Sequence, residues 1–167
     1  MAQYPNDNDG NALLALIALA DENATRQLGS VLAACLRPLD VIALSGGLGA
    51  GKTTLVRAIL HALGHAGEVP SPTFTLVQLY DLPLGGVAHV DLYRIADEGE
   101  LQELGLDELL QTHLCLIEWP ERAAASLPAE CLTIRLAPGE SDQARVAHFL
   151  GNPAWRRRLA SLISGDG

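Results

Sequence analysis

Eight residues constrain this chain more than any others: Gly46-Gly47-Leu48-Gly49-Ala50-Gly51-Lys52-Thr53 matches G-x-x-x-x-G-K-[ST]. Before it, residues 40–45 read D-V-I-A-L-S, a short branched apolar run of the kind found in a central parallel strand. After it, Leu55, Ile59 and Leu63 recur every four residues with Val56 and Leu60 beside them, an amphipathic helix over 53–63 that ends at Gly64. Strand, glycine-rich turn and helix in that order build an anion cradle. The glycines let successive N–H groups turn toward phosphate oxygens, and the helix N-terminus adds its positive dipole end. In such a cradle Lys52 reaches the β- and γ-phosphates as a mobile point charge, and the Thr53 hydroxyl serves as a ligand to Mg²⁺. Chance produces this match in on the order of one in a thousand chains of similar composition. Lys52 is also the sole lysine of a chain whose other ten basic residues are arginine. The position holds the flexible ammonium that the composition otherwise avoids.

The other patterns fit around that unit. Residues 13–19 read as a buried strand or a first helical turn, and 23–36 as a helix closed by Pro38. Two strand-like runs, 74–82 and 87–92, flank Pro83-Leu84-Gly85-Gly86, a spacing that favours an antiparallel hairpin. Residues 97–111 read as a helix with acids in its first turn, 114–117 as a buried strand, 132–136 and 145–149 as later strands, and 153–163 as a closing helix. The expectation is an α/β fold: a flexible leader over 1–11, then over 12–167 a single three-layer domain of the P-loop NTPase kind. Its central sheet is expected to be mixed and mainly parallel, including an antiparallel hairpin.

Composition narrows the function. With 49 % apolar and 19 % charged residues the chain can build a core, and its net charge of −9 is the wrong sign for gripping a phosphate backbone over a broad surface. The apolar run over 12–20 is too short for a membrane helix, which needs about 20 residues. Residues 1–11 lack the basic start of a secretory signal, so a cytoplasmic location is expected. Cys35, Cys115 and Cys131 are odd in number and far apart, as expected of reduced core thiols.

A hydrolytic site needs a carboxylate at a strand end beside the magnesium, and the sequence offers Asp91 and Glu118. Leu114-Cys115-Leu116-Ile117-Glu118 is an apolar run ending in an acid. Alternation over 87–93 puts His89, Asp91 and Tyr93 on one face, and Ala88, Val90 and Leu92 on the other. Ser71-Pro72-Thr73-Phe74-Thr75 is a hydroxyl-rich loop stiffened by prolines, able either to present Thr73 to a γ-phosphate or to serve as an ordinary turn. His61 and His65 read as surface histidines, and Arg156-Arg157-Arg158 as a solvated helix face.

Taken together, G-G-L-G-A-G-K-T-T from Gly46 to Thr54, S-P-T-F-T-L-V from Ser71, H-V-D-L-Y-R from His89 and I-E-W at Ile117, Glu118 and Trp119 closely resemble the TsaE family, formerly YjeE. The resemblance implies an ATPase required for threonylcarbamoyladenosine modification of tRNA position 37, with ATP and Mg²⁺ as cofactors. It implies docking on the TsaB–TsaD heterodimer and resetting of that complex between turnovers; weak activity alone is expected because P-loop sites often wait for a partner to complete charge stabilisation. It associates Thr53 and Glu118 with the metal, and Asp91 with hydrolysis alongside Lys52. It places Thr54, Thr73 and Trp119 at the nucleotide together with the glycine loop. Gly47 departs from the family, which often carries Asp or Asn there. No tight tRNA binding of its own is expected, and weak self-association stays open. The alternatives are a small-molecule P-loop kinase, for which Arg122 is the lone lid candidate, and a nucleotide-gated adaptor without significant hydrolysis. A guanine-reading N-K-x-D motif is excluded by the single lysine.

Overall fold

A run of apolar residues belongs inside a sheet when both of its faces are covered. Val41, Ile42, Ala43 and Leu44 are all buried, and β2 (Val41–Gly46) lies at the centre of a seven-stranded sheet. The computed structural model describes residues 11–164. The other strands are β1 (Ala12–Leu19), β3 (Val77–Leu82), β4 (Gly85–Asp91), β5 (Leu114–Glu118), β6 (Leu132–Pro138) and β7 (Arg145–Gly151), in the order β1-β7-β6-β2-β5-β4-β3. Strands β6, β2, β5 and β4 are parallel neighbours, while β3 and β7 run antiparallel to the strands beside them. The sheet is mixed and mainly parallel, and β3–β4 is the expected hairpin.

Side-chain alternation along β2 sorts the core into two layers. Ile42 and Leu44 join Leu32, Leu55, Ile59 and Phe149 under α1 (Glu22–Ala33) and α2 (Lys52–Ala62). Val41 and Ala43 join Val90, Leu92, Leu106 and Ile117 under α3 (Glu98–Leu104) and α4 (Leu106–Thr112). The three-layer expectation is met. Asp21 caps α1 by accepting from the Ala24 N–H at 2.8 Å, a contact worth about 1 kcal/mol. The two helices cross closely at Gly29, where a Cβ would stand 2.6 Å from that of Ala58.

Several boundaries differ from the sequence reading, each for a local reason. Residues 13–19 resolve to strand, because β7 supplies an antiparallel partner along β1. The helix expected over 97–111 breaks at Gly105, whose φ of 71° is left-handed. The closing helix splits at Leu159 into α5 (Pro153–Arg158) and α6 (Ala160–Ile163). β3 starts three residues after Phe74, because residues 73–75 turn and Leu76 takes φ 63°. Arg158 is not on a solvated face: it pairs with Asp40, donates to the Cys35 carbonyl at 2.7 Å and stacks 3.9 Å from the Trp155 ring centroid. Arg156 and Arg157 are exposed as expected. Cys115 and Cys131 are buried free thiols and Cys35 is half-buried. Apart from Asn11, the expected leader lies outside the described residues. No helix among the described residues is long and apolar enough to cross a membrane.

Candidate nucleotide site

Three parallel strands end side by side at one edge of the sheet. Leu44 of β2 is the register partner of Glu118 at the end of β5, and Glu118 is the partner of Asp91 at the end of β4. This is the carboxyl edge of an open α/β sheet, outside which ligands bind in this architecture. The sheet therefore assembles in space what the sequence scatters over more than sixty residues.

The loop between β2 and α2 is shaped by glycine where nothing else fits. At Gly46, φ is 143° and a Cβ would meet the Leu136 carbonyl oxygen at 2.6 Å; at Gly51, the residue before α2, φ is 101°. Gly47 is different, since a Cβ there meets nothing within 4 Å, so the position at which the sequence departs from the family pattern tolerates a side chain. Leu48 at the loop tip is 83 % exposed, and Ala50 is buried against the first core.

Lys52 opens α2 and folds back over this loop. Its Nζ donates to the Gly46 and Gly47 carbonyls at 2.7 and 2.8 Å and lies 4.1 Å from the centroid of the Trp119 ring. Burial pulls the ammonium below the usual lysine range, opposed by the Glu118, Glu121 and Asp91 carboxylates. Trp119 reaches the lysine because its backbone turns left-handed directly after β5, at φ 58° and ψ 51°, with its N–H bonded to the Leu44 carbonyl at 3.2 Å.

Thr53 Oγ1 donates to the two Glu118 carboxylate oxygens at 2.9 and 3.1 Å. Glu118 is buried, and Nε2 of the fully enclosed His89 approaches its Oε1 to 2.8 Å. Asp91 is buried beside it, and its Oδ1 accepts from the Tyr93 N–H at 3.0 Å. The Tyr93 ring rests 4.9 Å from that of Trp119. Thr73 and Ser71 share a hydrogen bond of 2.7 Å between hydroxyls on the rim. Phe74 next to them is 83 % exposed beneath Arg94.

These side chains line one open cleft of about 300 Å³ that contains Lys52, Thr53, Thr73, Asp91, Glu118 and Trp119 together. A second cleft of about 400 Å³ lies across the loop, lined by Glu22, Thr25, Gly51, Thr54, Asp142 and Arg145. Arg145 also donates to the Gly49 carbonyl at 3.3 Å. Gly46 and Gly47 contribute through the carbonyls that hold Lys52. Strand alternation puts His89 and Tyr93 on the same face as Asp91 without giving them a place in the site. Ser71 enters the sequence reading only as part of its hydroxyl-rich loop, and Glu22, Asp142 and Arg145 carry no role there. His89 could have been found from strand period alone; Glu22 and Asp142 carry no local signal, since sheet order brings them to the loop.

Magnesium fits the donor set on chemical grounds. Among the described residues no group of three His, Cys, Asp or Glu side chains could cage a metal, while a hydroxyl and a carboxylate meet at Thr53 and Glu118. A hard cation that takes most of its ligands from water and phosphate needs no more from the protein. His61 and His65 stack at 6.2 Å, with their Nε2 atoms on the carbonyls of Gly67 and Glu68, and belong to no metal group.

Comparison with known proteins places the chain. The family model described as threonylcarbamoyl adenosine biosynthesis protein TsaE matches residues 19–147. A tRNA threonylcarbamoyladenosine biosynthesis protein TsaE from Haemophilus influenzae is 39 % identical over 125 residues, 74 % of this chain and 78 % of that one. The protein of the same name from Streptomyces coelicolor is 38 % identical over 147 residues, 84 % of this chain and 99 % of the relative. In three dimensions the crystal structure of Bacillus subtilis YdiB superposes with a TM-score of 0.74 at 28 % identity, covering 93 % of this chain and 95 % of the other.

Proposed function

The chain belongs to the TsaE family, and from that premise we propose that it is a Mg²⁺-dependent ATPase of threonylcarbamoyladenosine synthesis on tRNA. In this reading it docks on the TsaB–TsaD heterodimer, and its hydrolysis resets that complex between catalytic cycles. The observation that carries the reading is the meeting of Lys52, Thr53, Glu118 and Asp91 in one cleft at the ends of β2, β5 and β4.

Each residue has a task there. Gly46 to Thr54 wrap the phosphates with backbone N–H groups and the start of α2. Lys52, already aimed by two loop carbonyls, places its charge on the β- and γ-phosphates. Thr53 and Glu118 would hold a magnesium ion beside the nucleotide, which would supply neutralisation of phosphate charge. Asp91 accepts a hydrogen bond from the attacking water, and Thr73 on the rim contacts the γ-phosphate. Trp119 and Tyr93 wall the lysine from solvent, which strengthens its charge interactions. The cleft beyond Thr54 takes the nucleoside, with the Glu22 and Asp142 carboxylates beside it as acceptors for ribose hydroxyls.

Turnover by the chain alone is expected to be slow and stimulated in a complex, because P-loop sites often wait for a partner to complete the charge stabilisation of the transferring phosphate. The pathway is tested in cells: depletion of the protein should lower the threonylcarbamoyladenosine content of tRNA, wild type should restore it, and Asp91→Ala should not. Unchanged tRNA modification on depletion contradicts the reading.

A further inference from the structure

His89 is 0 % exposed and takes no part in the roles above. Strand alternation turns it to the same side of β4 as Asp91, and its register partner on β5 is Leu116, two residues before Glu118. Nε2 lies 2.8 Å from Glu118 Oε1, and because a carboxylate only accepts, the tautomer that pairs them carries its proton on Nε2; Nδ1 finds no partner among the described residues. The ring is thus anchored in polar terms by one bond, and that bond ends on the carboxylate that receives the Thr53 hydroxyl.

A glutamate carboxylate turns freely about its last torsion unless something holds it. Here Glu118 is held by two groups that share its Oε1, Thr53 Oγ1 and His89 Nε2, with the Thr53 hydroxyl also reaching Oε2 at 3.1 Å. The geometry points to His89 as a positioning residue: it locks the Glu118 carboxylate in the orientation that accepts the Thr53 O–H, which leaves the remaining lone pairs of that oxygen free for the metal of a metal–nucleotide complex. The inference rests on the magnesium-side assignment of Thr53 and Glu118 made above. Outer partners of this kind act on metal affinity, where their removal typically weakens binding by about 10 to 100-fold. A histidine that merely fills the core would be replaced by leucine without effect on the metal.

The test separates nucleotide from metal. ADP affinity is measured by calorimetry in EDTA, and Mn²⁺ binding to the ADP complex is counted by electron paramagnetic resonance. In His89→Leu the metal-free ADP affinity should stay within about twofold of wild type while Mn²⁺ affinity falls by about tenfold or more. His89→Gln, whose amide nitrogen reaches the Nε2 position, should recover Mn²⁺ affinity to within about threefold. Unchanged Mn²⁺ affinity in His89→Leu, or equal losses in the Leu and Gln variants, overturns the role. Should His89→Leu not fold, His89→Asn, whose amide stops short of Nε2, takes its place against His89→Gln, and equal metal affinity in that pair overturns it. Failure of wild-type protein to bind ADP with or without Mn²⁺ would instead overturn the nucleotide reading beneath it.

Discussion

Thr53 and Glu118 are 65 positions apart in the chain, yet the threonine hydroxyl donates to both oxygens of the buried carboxylate at 2.9 and 3.1 Å. The pair exists because the first turn of α2, just after the loop that leaves β2, and the last residue of β5 reach the same edge of the sheet. Thr53→Val keeps the shape and removes the donor. Added Mg²⁺ should then no longer tighten nucleotide binding, whereas Thr53→Ser should keep the effect. Calorimetry of nucleotide binding with and without Mg²⁺ checks this, and a full metal effect in Thr53→Val would contradict the assignment.

Nucleotide affinity should carry an alkaline limb set by Lys52. Phosphate binding uses the charged ammonium, and burial lowers the pKa of that group below its ordinary value of about 10.4. Deprotonation therefore begins at lower pH than for an exposed lysine, and affinity falls as pH rises through that lowered value. ADP titrations in EDTA should show the decline starting below the ordinary lysine range and absent in Lys52→Ala, which should bind little ADP at any pH. Undiminished wild-type affinity through pH 10.4 would be the contrary result.

The thiols should react in the order of their burial. Desolvation pushes Cys115 up to about 12 and also raises Cys131 and Cys35, the last opposed by the Arg158 charge, so the order is set by access, and Cys115 and Cys131 are the buried pair. Thiolate is the reactive form, so at pH 8 iodoacetamide should label half-buried Cys35 first and the other two only on unfolding. Mass spectrometry of the native protein decides the order, and Cys115 labelled as fast as Cys35 would contradict it.

Gly29→Ala tests the packing of α1 on α2. Helix propensity favours alanine by about 1 kcal/mol, but the new Cβ would lie 2.6 Å from the Ala58 Cβ and 3.0 Å from the Leu55 carbonyl oxygen. Steric strain of roughly 1–3 kcal/mol should win, so the variant should melt lower than wild type by denaturant titration. A more stable variant would mean that the helices separate at little cost.

Much of this was legible beforehand where the signal is local. The glycine loop, its strand and its helix follow from sequence, as do the β3–β4 hairpin and the two acids at strand ends, Asp91 and Glu118. Boundaries set by one backbone torsion were not, as the left-handed turn at Leu76 and the break at Gly105 show. Arg158 read as solvated because its partners, Asp40 and the Cys35 carbonyl, lie more than a hundred residues away. His89 was visible as a face but not as a partner of Glu118, since only strand pairing brings β4 beside β5. The second cleft was invisible for the same reason: α1 and the turn before β7 meet the loop through sheet order alone.

The central claim is a partner-stimulated ATPase, and ATP turnover with Mg²⁺, measured on the purified chain alone and then with a TsaB–TsaD complex, tests it most directly. Slow hydrolysis alone, stimulation by the complex and loss of both in Lys52→Ala is the result predicted. No hydrolysis under either condition, or phosphate transferred to a small acceptor with no effect of the complex, would contradict it.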